Sequence, residues 1–396
     1  MSRAGKNDAV REKVMAMESE ILRIRRYLHA HPELSFQEYE TTAFLVDELK
    51  KLPQVIVETP TATGVVAILK GAYPGRTIAF RADIDGLPIQ EETGLPFASV
   101  NDGVMHACGH DGHTAMQLAA VRLLAEEVDQ LHGEVRFLFQ HAEEKPPGGA
   151  VEMYRAGVMN GVEELYGMHL SSSYPTCRFG VREGVLTSAT DRFEIHVKGS
   201  EGHSAYPELC VDPVVTAAEI VTALQTIASR KTAAADPVVV SVCEIHCGRV
   251  YNIIPEEVMI AGSTRTFSRE TRQKLQVWME QIVKGICEAH GASYTFEFQN
   301  GYPSVVNDAV LTRQSRDLIE VVFGREAAFD RGLLMSGEDF SELEIDCPGF
   351  FVELGARDPE KGCDVPHHNA HYLMDETALV YGTEYIYRQV RSRLRG

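Results

Sequence analysis

The sequence predicts an α/β protein: a catalytic domain built on a mixed β-sheet with helices on both faces, interrupted by an inserted ferredoxin-like α+β domain. Short apolar strands alternate with amphipathic helices in the N-terminal and C-terminal parts of the chain, as they do in open α/β folds. Between these parts, the elements follow the order β-α-β-β-α-β, which is that of the ferredoxin-like unit. We therefore expect a discontinuous catalytic domain of residues 1–186 and 301–396 and an inserted domain of residues 187–300.

The length, composition and charge of the chain limit its class. Its 396 residues exceed the usual size of a single hydrophobic core, and contents of 44% hydrophobic and 24% charged residues are ordinary for a globular enzyme. A formal net charge of −19 argues against a nucleic acid partner, whose phosphates require a basic surface. The chain has no run of 18 apolar residues, so we expect no membrane partner.

Two features predict a cytoplasmic protein. The first residues, Met1–Lys6, lack the apolar core of a signal peptide. The eight cysteines in so long a chain form no disulfide framework, and reduced thiols fit the cytoplasm. We place Cys243 and Cys247 on a buried strand, as packing residues.

In the N-terminal part, the spacing of apolar residues predicts two helices and then two strands. Residues 9–28 carry apolar side chains three and four apart, which is typical of one amphipathic helix, and Pro32 ends the pattern. A second helix is predicted at residues 41–50. Residues 65–69 and 77–83 are short apolar runs bounded by glycine and proline, as buried strands are.

The second of these strands ends in two carboxylates, Asp83 and Asp85. Two carboxylates at the end of a buried strand suit a metal site, or the hydrogen bonds that orient its histidine ligands, or a solvated turn. The residues alone leave these alternatives open, and Asp83 and Asp85 are our candidates for residues that orient metal ligands.

The stretch at residues 105–114, Met-His-Ala-Cys-Gly-His-Asp-Gly-His-Thr, has the highest density of metal-binding side chains. A lone cysteine or histidine more often packs in a core, but here one thiol and three imidazoles lie within ten residues. Cys108-Gly-His110 can bring a thiolate and an imidazole to one zinc ion or another first-row metal. The apolar spacing from Thr114 onward predicts a helix, so these donors would lie at its start.

Two further predicted strands carry potential donors. Residues 134–140 form an apolar run followed closely by Glu143-Glu144, and residues 165–170 form the next, with His169. Adjacent glutamates are usually surface charges. At the end of an apolar strand, however, one can bind a metal while its neighbour faces the substrate as a base.

The predicted inserted domain has a loop at residues 199–207, with His203, after its first strand. After it the α/β character resumes, and residues 335–340 and 365–372 stand out, the latter with several histidines. The chain has neither a G-x-S-x-G nucleophile motif nor a phosphate-binding G-x-x-x-x-G-K-[ST] loop. The elements predicted for the inserted domain are strand 192–197, helix 212–230, strands 238–245 and 257–265, helix 269–290 and strand 293–299.

Seven motifs lie in order along the chain, at residues 26–36, 81–88, 106–114, 142–144, 167–169, 202–207 and 337–340. Together they resemble the amidohydrolase branch of the aminoacylase/carboxypeptidase G metallopeptidase family. That branch includes hippurate hydrolases, bacterial N-acyl-L-amino-acid amidohydrolases and plant auxin–amino-acid conjugate hydrolases. The resemblance extends from about residue 20 to residue 380, and several long motifs in a fixed order make it specific.

The resemblance implies a centre of two divalent metal ions per subunit, Zn²⁺ or Mn²⁺, with Co²⁺ or Ni²⁺ as further candidates. Cys108 takes the place of the bridging ligand, and His110, Glu144 and His169 are further ligands. Glu143 takes the place of the general base.

The C-terminal ligand implied by the resemblance is His368, with His367 as the alternative. The family's histidine lies four residues before an aromatic residue and shortly before an Asp-Glu pair. Tyr372 and Asp375-Glu376 match that spacing from His368.

The resemblance also makes the inserted domain a lid and dimerisation domain. His203 resembles the residue that reaches the site of a partner subunit and polarises the scissile carbonyl, and Asn252 and Arg265 resemble contacts to substrate. We therefore expect a homodimer or a dimer of dimers.

The implied function is metal-dependent hydrolysis of a small-molecule N-acyl L-amino acid. The alternative on the same scaffold is a dipeptidase or aminopeptidase, and the bridging position of Cys108 favours the amidohydrolase. A non-catalytic metal-binding protein is a third hypothesis, against which the presence of Glu143 argues. The sequence departs from the usual family pattern at His141 and at residues 145–147, 208–210 and 369–370. These departures leave the substrate preference open.

Overall fold

The computed structural model describes residues 3–395 of the chain. Met1, Ser2 and Gly396 lie outside the described residues. Met1 and Ser2 are the first residues of the predicted catalytic domain and of the segment considered for a signal peptide. Within residues 3–395, no helix is long and apolar enough to span a membrane.

The helices are α1 Arg3–Met15, α2 Glu18–Ala30, α3 Tyr39–Lys50, α4 His110–Ala125, α5 Gly149–Arg155, α6 Pro213–Thr226, α7 Arg269–His290, α8 Ala309–Phe323 and α9 Thr377–Leu394. The strands are β1 Val55–Glu58, β2 Val65–Lys70, β3 Tyr73–Asp83, β4 His132–Gln140, β5 Glu164–Pro175, β6 Phe179–Val181, β7 Gly184–Val185, β8 Ala189–Lys198, β9 Gly202–His203, β10 Val238–Cys247, β11 Ile253–Ile254, β12 Glu257–Thr266, β13 Ser293–Asn300, β14 Val306–Asn307, β15 Ala328–Asp330 and β16 Gly349–Arg357.

The chain divides into two compact units. The larger unit contains the chain through Gly184, then Val306–Gly332, and the chain from Asp339 onward. The smaller unit contains Val185–Val305 and Leu333–Glu338.

The segment Leu333–Glu338 was not part of the predicted insert. Its backbone joins the smaller unit because the Leu334 N–H donates to the Leu186 carbonyl at 2.8 Å, and the Ser188 N–H donates to the Leu334 carbonyl at 2.8 Å. A six-residue segment of this kind carries no periodicity that a sequence pattern could reveal.

The central sheet of the larger unit is mixed, as the predicted fold class requires, and that prediction is confirmed. Its strands lie in the order β1-β2-β4-β3-β5-β16-β14, with β6 beside β16 and β15 beside β6. The neighbours from β4 to β14 are parallel, whereas β1 and β2 pair antiparallel. Because β4, β3 and β5 are parallel, their carboxyl ends lie on the same side of the sheet.

The helix α4 is the most enclosed helix of the larger unit, since all its residues except Arg122 are buried. It begins at His110, four residues before the predicted start at Thr114, because the apolar spacing used for that prediction is missing from its polar first turn. Gly109, with a φ of 93°, precedes it in the left-handed region that favours glycine.

The predicted helix at residues 9–28 is two helices, α1 and α2, with a break at residues 16–17. Val14 and Ile21, on either side of the break, are both fully buried. The apolar spacing therefore continues across the break, and for this reason the sequence pattern did not reveal it.

The smaller unit has the predicted order β-α-β-β-α-β. Its sheet is antiparallel, in the order β10-β12-β8-β13, and α6 and α7 share a hydrophobic core with it. The short strands β9 and β11 form a separate antiparallel pair.

Cys243 and Cys247 are exposed, so the interpretation of both as buried packing residues is wrong. They lie on β10, which is an edge strand of its sheet, and residues 243–247 are all exposed. Apolar composition alone does not distinguish an edge strand from a central one.

Candidate metal centre

Four parts of the larger unit carry the predicted ligands to one place. They are the start of α4, the loop after β4, the middle of β5 and the loop before α9. Cys108, His110 and Glu144 offer ligand atoms within 4.8 Å of one another, and Cys108, His169 and His367 do the same. All five predicted ligands and the alternative histidine lie in this cluster: Cys108, His110, Glu144, His169, His367 and His368.

Cys108 and His169 face each other with 3.4 Å between Sγ and Nε2. His169 Nδ1 lies 2.5 Å from the Leu170 carbonyl oxygen, which can only accept, so Nδ1 carries the proton and Nε2 keeps its lone pair. Burial raises the pKa of the Cys108 thiol well above its usual value, and the carboxylates of Glu144, Glu143 and Asp83 raise it further. So much negative charge around a buried thiol favours a bound cation.

His110 is oriented by Asp85, because its Nδ1 lies 3.0 Å from the Asp85 carbonyl oxygen and 3.2 Å from Asp85 Oδ1. Its Nε2 therefore faces Glu144, with Oε1 at 3.9 Å. Burial alone would lower the pKa of His110, but the charges of Asp83, Asp85 and Glu144 outweigh it and raise that pKa to about 10. The structure thus favours positive charge at His110 Nε2.

His368 and His367 differ in what their ring nitrogens contact. His368 Nε2 lies 3.2 Å from Glu144 Oε1. His367 Nε2 accepts the Ser172 N–H at 3.0 Å, so its proton lies on Nδ1, which is the atom 3.6 Å from Cys108 Sγ. In this conformation both ring nitrogens of His367 are therefore engaged, whereas His368 lies beside Glu144.

Asp83 and Asp85 are both fully buried, which excludes the solvated turn. Asp85 Oδ2 accepts the Ser35 hydroxyl at 2.7 Å and the Glu144 N–H at 3.0 Å. Asp83 Oδ1 accepts His113 Nδ1–H at 2.5 Å. Asp85 therefore contacts His110 and Glu144 of the cluster, and Asp83 contacts His113.

Three residues that the sequence analysis assigned no role complete this arrangement. His113 Nε2 accepts the Leu170 N–H at 2.8 Å, so both of its ring nitrogens are engaged. Arg81 donates to Asp83 and to Asp339, each at 2.7 Å, and all three side chains are buried. The Gly337-Glu-Asp-Phe motif pointed to Asp339 as a residue of interest. The motif alone, however, did not indicate that Asp339 pairs with Arg81.

The donor set fits a first-row divalent ion. A thiol, imidazole nitrogens and a carboxylate are the ligands that zinc and its neighbours prefer. His110 Nε2 is buried without a hydrogen-bond partner among the described residues, and Glu144 Oε1 lies 3.9 Å from it. An unsatisfied buried polar atom costs about 1–3 kcal/mol, and a cation beside His110 Nε2 would remove that cost.

The other predicted site residues lie in the smaller unit. His203 is exposed on β9, and its Nδ1 accepts the Ala205 N–H at 3.0 Å, so Nε2 carries the proton of the neutral ring. Asn252 lies beside that loop, because its carbonyl accepts the Ser204 N–H at 3.1 Å. Arg265 is half-buried on β12 and donates to the Thr264 carbonyl at 2.8 Å.

The chain is similar to characterised proteins along most of its length. The family described as Peptidase family M20/M25/M40 matches residues 79–392. Over 300 residues the chain is 47% identical to an N-acyl-L-amino acid amidohydrolase of Geobacillus stearothermophilus, which covers 76% of this chain and 81% of that protein. It is 37% identical over 378 residues to thermostable carboxypeptidase 1 of Saccharolobus solfataricus, which covers 95% of each chain.

The fold is also similar to solved structures. A crystal structure of a Bacillus subtilis protein, described as a dinuclear metal-binding peptidase from the M20 family, superposes with a TM-score of 0.84. The two chains are 36% identical, and the match covers 96% of this chain and 99% of that one.

Proposed function

This chain belongs to peptidase family M20/M25/M40, and on that premise we propose that it hydrolyses the amide bond of an N-acyl L-amino acid, releasing the amino acid and a carboxylic acid. The observation that carries this function is the convergence of a thiol, imidazoles and Glu144 in one cluster, with a second carboxylate, Glu143, next in sequence. Amide hydrolysis needs a deprotonated water, a polarised carbonyl and a proton for the leaving nitrogen.

The cluster would hold two divalent ions per subunit through Cys108, His110, Glu144, His169 and His368. Zn²⁺ and Mn²⁺ are the candidates, followed by Co²⁺ and Ni²⁺, because availability in the cell as well as affinity decides which ion is bound. When bound, such a pair of ions lowers the pKa of water toward about 7 and polarises a carbonyl.

Glu143 would be the general base. Its carboxylate accepts a proton from the attacking water and donates it to the amide nitrogen as the carbon–nitrogen bond breaks, a role that contributes about 10²–10⁴-fold to the rate. The influence of Glu143 on the pKa of the Cys108 thiol supports its closeness to the ligands.

The smaller unit would serve as lid and dimerisation domain. In this proposal His203 of one copy polarises the scissile carbonyl in the site of a second copy, while Arg265 and Asn252 bind the substrate carboxylate, for which a guanidinium is well shaped. A homodimer or dimer of dimers is supported by the edge position of β10 and by exposed apolar side chains of the smaller unit, among them Leu209 at 80% and Tyr251 at 99% exposure.

A cytoplasmic location is supported by the cysteines. All eight are free thiols in the described residues, and half of them are buried. Reduced thiols are the usual state in the cytoplasm.

A peptidase activity is the second candidate, favoured by the identity of 37% to a carboxypeptidase. The two activities differ in the group on the carbonyl side of the scissile bond. An amidohydrolase accepts a simple acyl group there, whereas a dipeptidase or aminopeptidase requires an amino-acid residue with a free amine.

The test is a substrate panel assayed on metal-free enzyme reconstituted separately with Zn²⁺ and with Mn²⁺. We expect hydrolysis of N-acetyl or N-benzoyl amino acids, little hydrolysis of free-amine dipeptides, and no activity before metal is added. Faster hydrolysis of dipeptides would favour the peptidase, and full activity of the metal-free protein would contradict a metal-dependent reaction.

A further inference from the structure

The loop that follows β4 carries Glu143 and Glu144, and it contains a strained residue. Ala142 is fully buried and has a φ of 52°, in the left-handed region. That conformation costs a residue with a β-carbon about 1–2 kcal/mol of free energy. Contacts with surrounding residues must therefore stabilise the turn.

Glu38, just before α3, makes such a contact. Its Oε1 accepts the Ala142 N–H at 2.8 Å and the Phe36 N–H at 3.0 Å. The side chain is fully buried, although a buried glutamate is rare without a partner of opposite charge. The Thr63 side chain lies beside it and lowers the pKa of Glu38 by hydrogen bonding.

A second buried carboxylate holds the same loop two residues further on, since Asp85 Oδ2 accepts the Glu144 N–H at 3.0 Å. Both supports are tied to the segment at residues 33–38. Ser35 donates its hydroxyl to Asp85 at 2.7 Å, and Glu38 itself ends the segment. The segment thus connects the loops that follow β3 and β4.

We infer that Glu38 is a positioning residue for the metal centre: by accepting the Ala142 N–H, it holds the left-handed turn from which Glu144 reaches the ligand atoms of Cys108 and His110. The same turn sets the direction of Glu143. This inference rests on the proposed roles of Glu144 as ligand and Glu143 as base. Glu38 touches neither substrate nor metal, and acts through the backbone of residue 142.

Two substitutions separate the reach of the side chain from its charge. Glu38→Asp keeps the charge but shortens the side chain by one methylene, so the contact to Ala142 is lost. Glu38→Gln keeps the length and an acceptor oxygen, and its amide can donate to the Thr63 hydroxyl. Burial and the charge of Asp85 also raise the pKa of Glu38 to about 7, so a neutral side chain is close to the native state.

The readouts are the Kd for Zn²⁺ by chelator competition, the visible spectrum of the Co²⁺-loaded protein, and kcat and KM. For Glu38→Asp we expect Zn²⁺ affinity to fall by about 10–100-fold, as it does when a group that orients a metal ligand is lost. Its Co²⁺ spectrum should change and its kcat should fall, whereas Glu38→Gln should behave like the wild type.

Glu48→Asp is the matched control, because Glu48 is a buried glutamate of α3 whose carboxylate forms ion pairs with the basic side chains of Arg23, Lys51 and Arg122. It should change the Tm but not the Kd for Zn²⁺. The inference is overturned if Glu38→Asp binds Zn²⁺ as the wild type does, if Glu38→Gln loses as much affinity as Glu38→Asp, or if Glu38→Asp does not fold. Failure of the wild type itself to bind Zn²⁺ would instead contradict the proposed metal centre.

Discussion

Glu143 and Glu144 are neighbours in the sequence with different proposed roles, and one substitution separates them. Glu143→Gln keeps the size of the side chain but cannot accept a proton from water. We expect kcat to fall by about 10²–10⁴-fold, with the metal content unchanged. Turnover of an N-acetyl amino acid and metal analysis of the same sample measure both quantities. Loss of metal from this variant would show that the two glutamates have exchanged roles.

Cys108 belongs to two of the groups of candidate ligands. Cys108→Ala removes the only sulfur donor of the cluster, so we expect the protein to lose bound metal on dialysis, as metal analysis would show. Cys287→Ala is the control, because Cys287 is a buried cysteine in the core of the smaller unit. Full metal occupancy in Cys108→Ala would exclude Cys108 as a ligand.

At this scale the sequence predicted which residues meet, but not how each is held. Cys108, His110, Glu144, His169 and His368 were predicted from a dense motif and a family resemblance. Their supports carried weaker signals, because a hydrogen bond between Glu38 and the backbone of Ala142 depends on the route of the chain over 104 residues. No local pattern records such a contact.

Among the elements, a glycine inside the long helix α9 tests the packing of the larger unit. A β-carbon on Gly382, in α9, would lie 2.1 Å from Met116 Sδ and 2.9 Å from Met168 Cε. Gly382→Ala should therefore lower the free energy of unfolding by about 1–3 kcal/mol through overpacking.

Gly285, in α7, is the control for this prediction, because a β-carbon there would meet no atom within 4 Å. Gly285→Ala should raise the free energy of unfolding by about 0.5–1 kcal/mol, since alanine favours a helix more than glycine does. Denaturant titration measures both variants. Equal effects of the two substitutions would contradict the close packing of α9 against α4 and β5.

The errors at the scale of elements share a physical cause. The apolar spacing did not predict the first turn of α4, because that turn is polar although it is buried. It also predicted one continuous helix where the structure has a break between α1 and α2. It also placed Cys243 inside a sheet of which β10 is an edge. The spacing of apolar residues does not show which polar residues are buried with hydrogen-bond partners. It also does not show whether a strand lies at the edge or in the middle of its sheet.

For the whole molecule, the prediction to test is that His203 acts in the site of a second copy. We expect His203→Ala and Cys108→Ala homodimers each to be strongly impaired, with the loss of a carbonyl-polarising donor costing about 10²–10³-fold. A mixed dimer of the two variants should regain one working site, because its metal-bearing site receives His203 from the other copy. Co-expression with two affinity tags isolates that species. A mixed dimer as inactive as its parents would place His203 in its own subunit's site.

The fold class and the order of elements in the smaller unit could be predicted because strands and helices alternate visibly along the chain. The extent of the units could not be predicted as completely. Leu333–Glu338 belongs to the smaller unit through backbone hydrogen bonds to residues 186–188. Backbone hydrogen bonds do not require particular side chains, so the sequence does not reveal them.

The position of β16 has a consequence for synthesis on the ribosome. This inner strand of the central sheet ends at Arg357, whereas the four-stranded sheet of the smaller unit is already complete in a chain of 300 residues. Domains usually fold in the order in which they emerge. Here the central sheet of the larger unit lacks an inner strand until β16 has been made, so we expect β5 to stay without this parallel neighbour until Arg357 has left the ribosome.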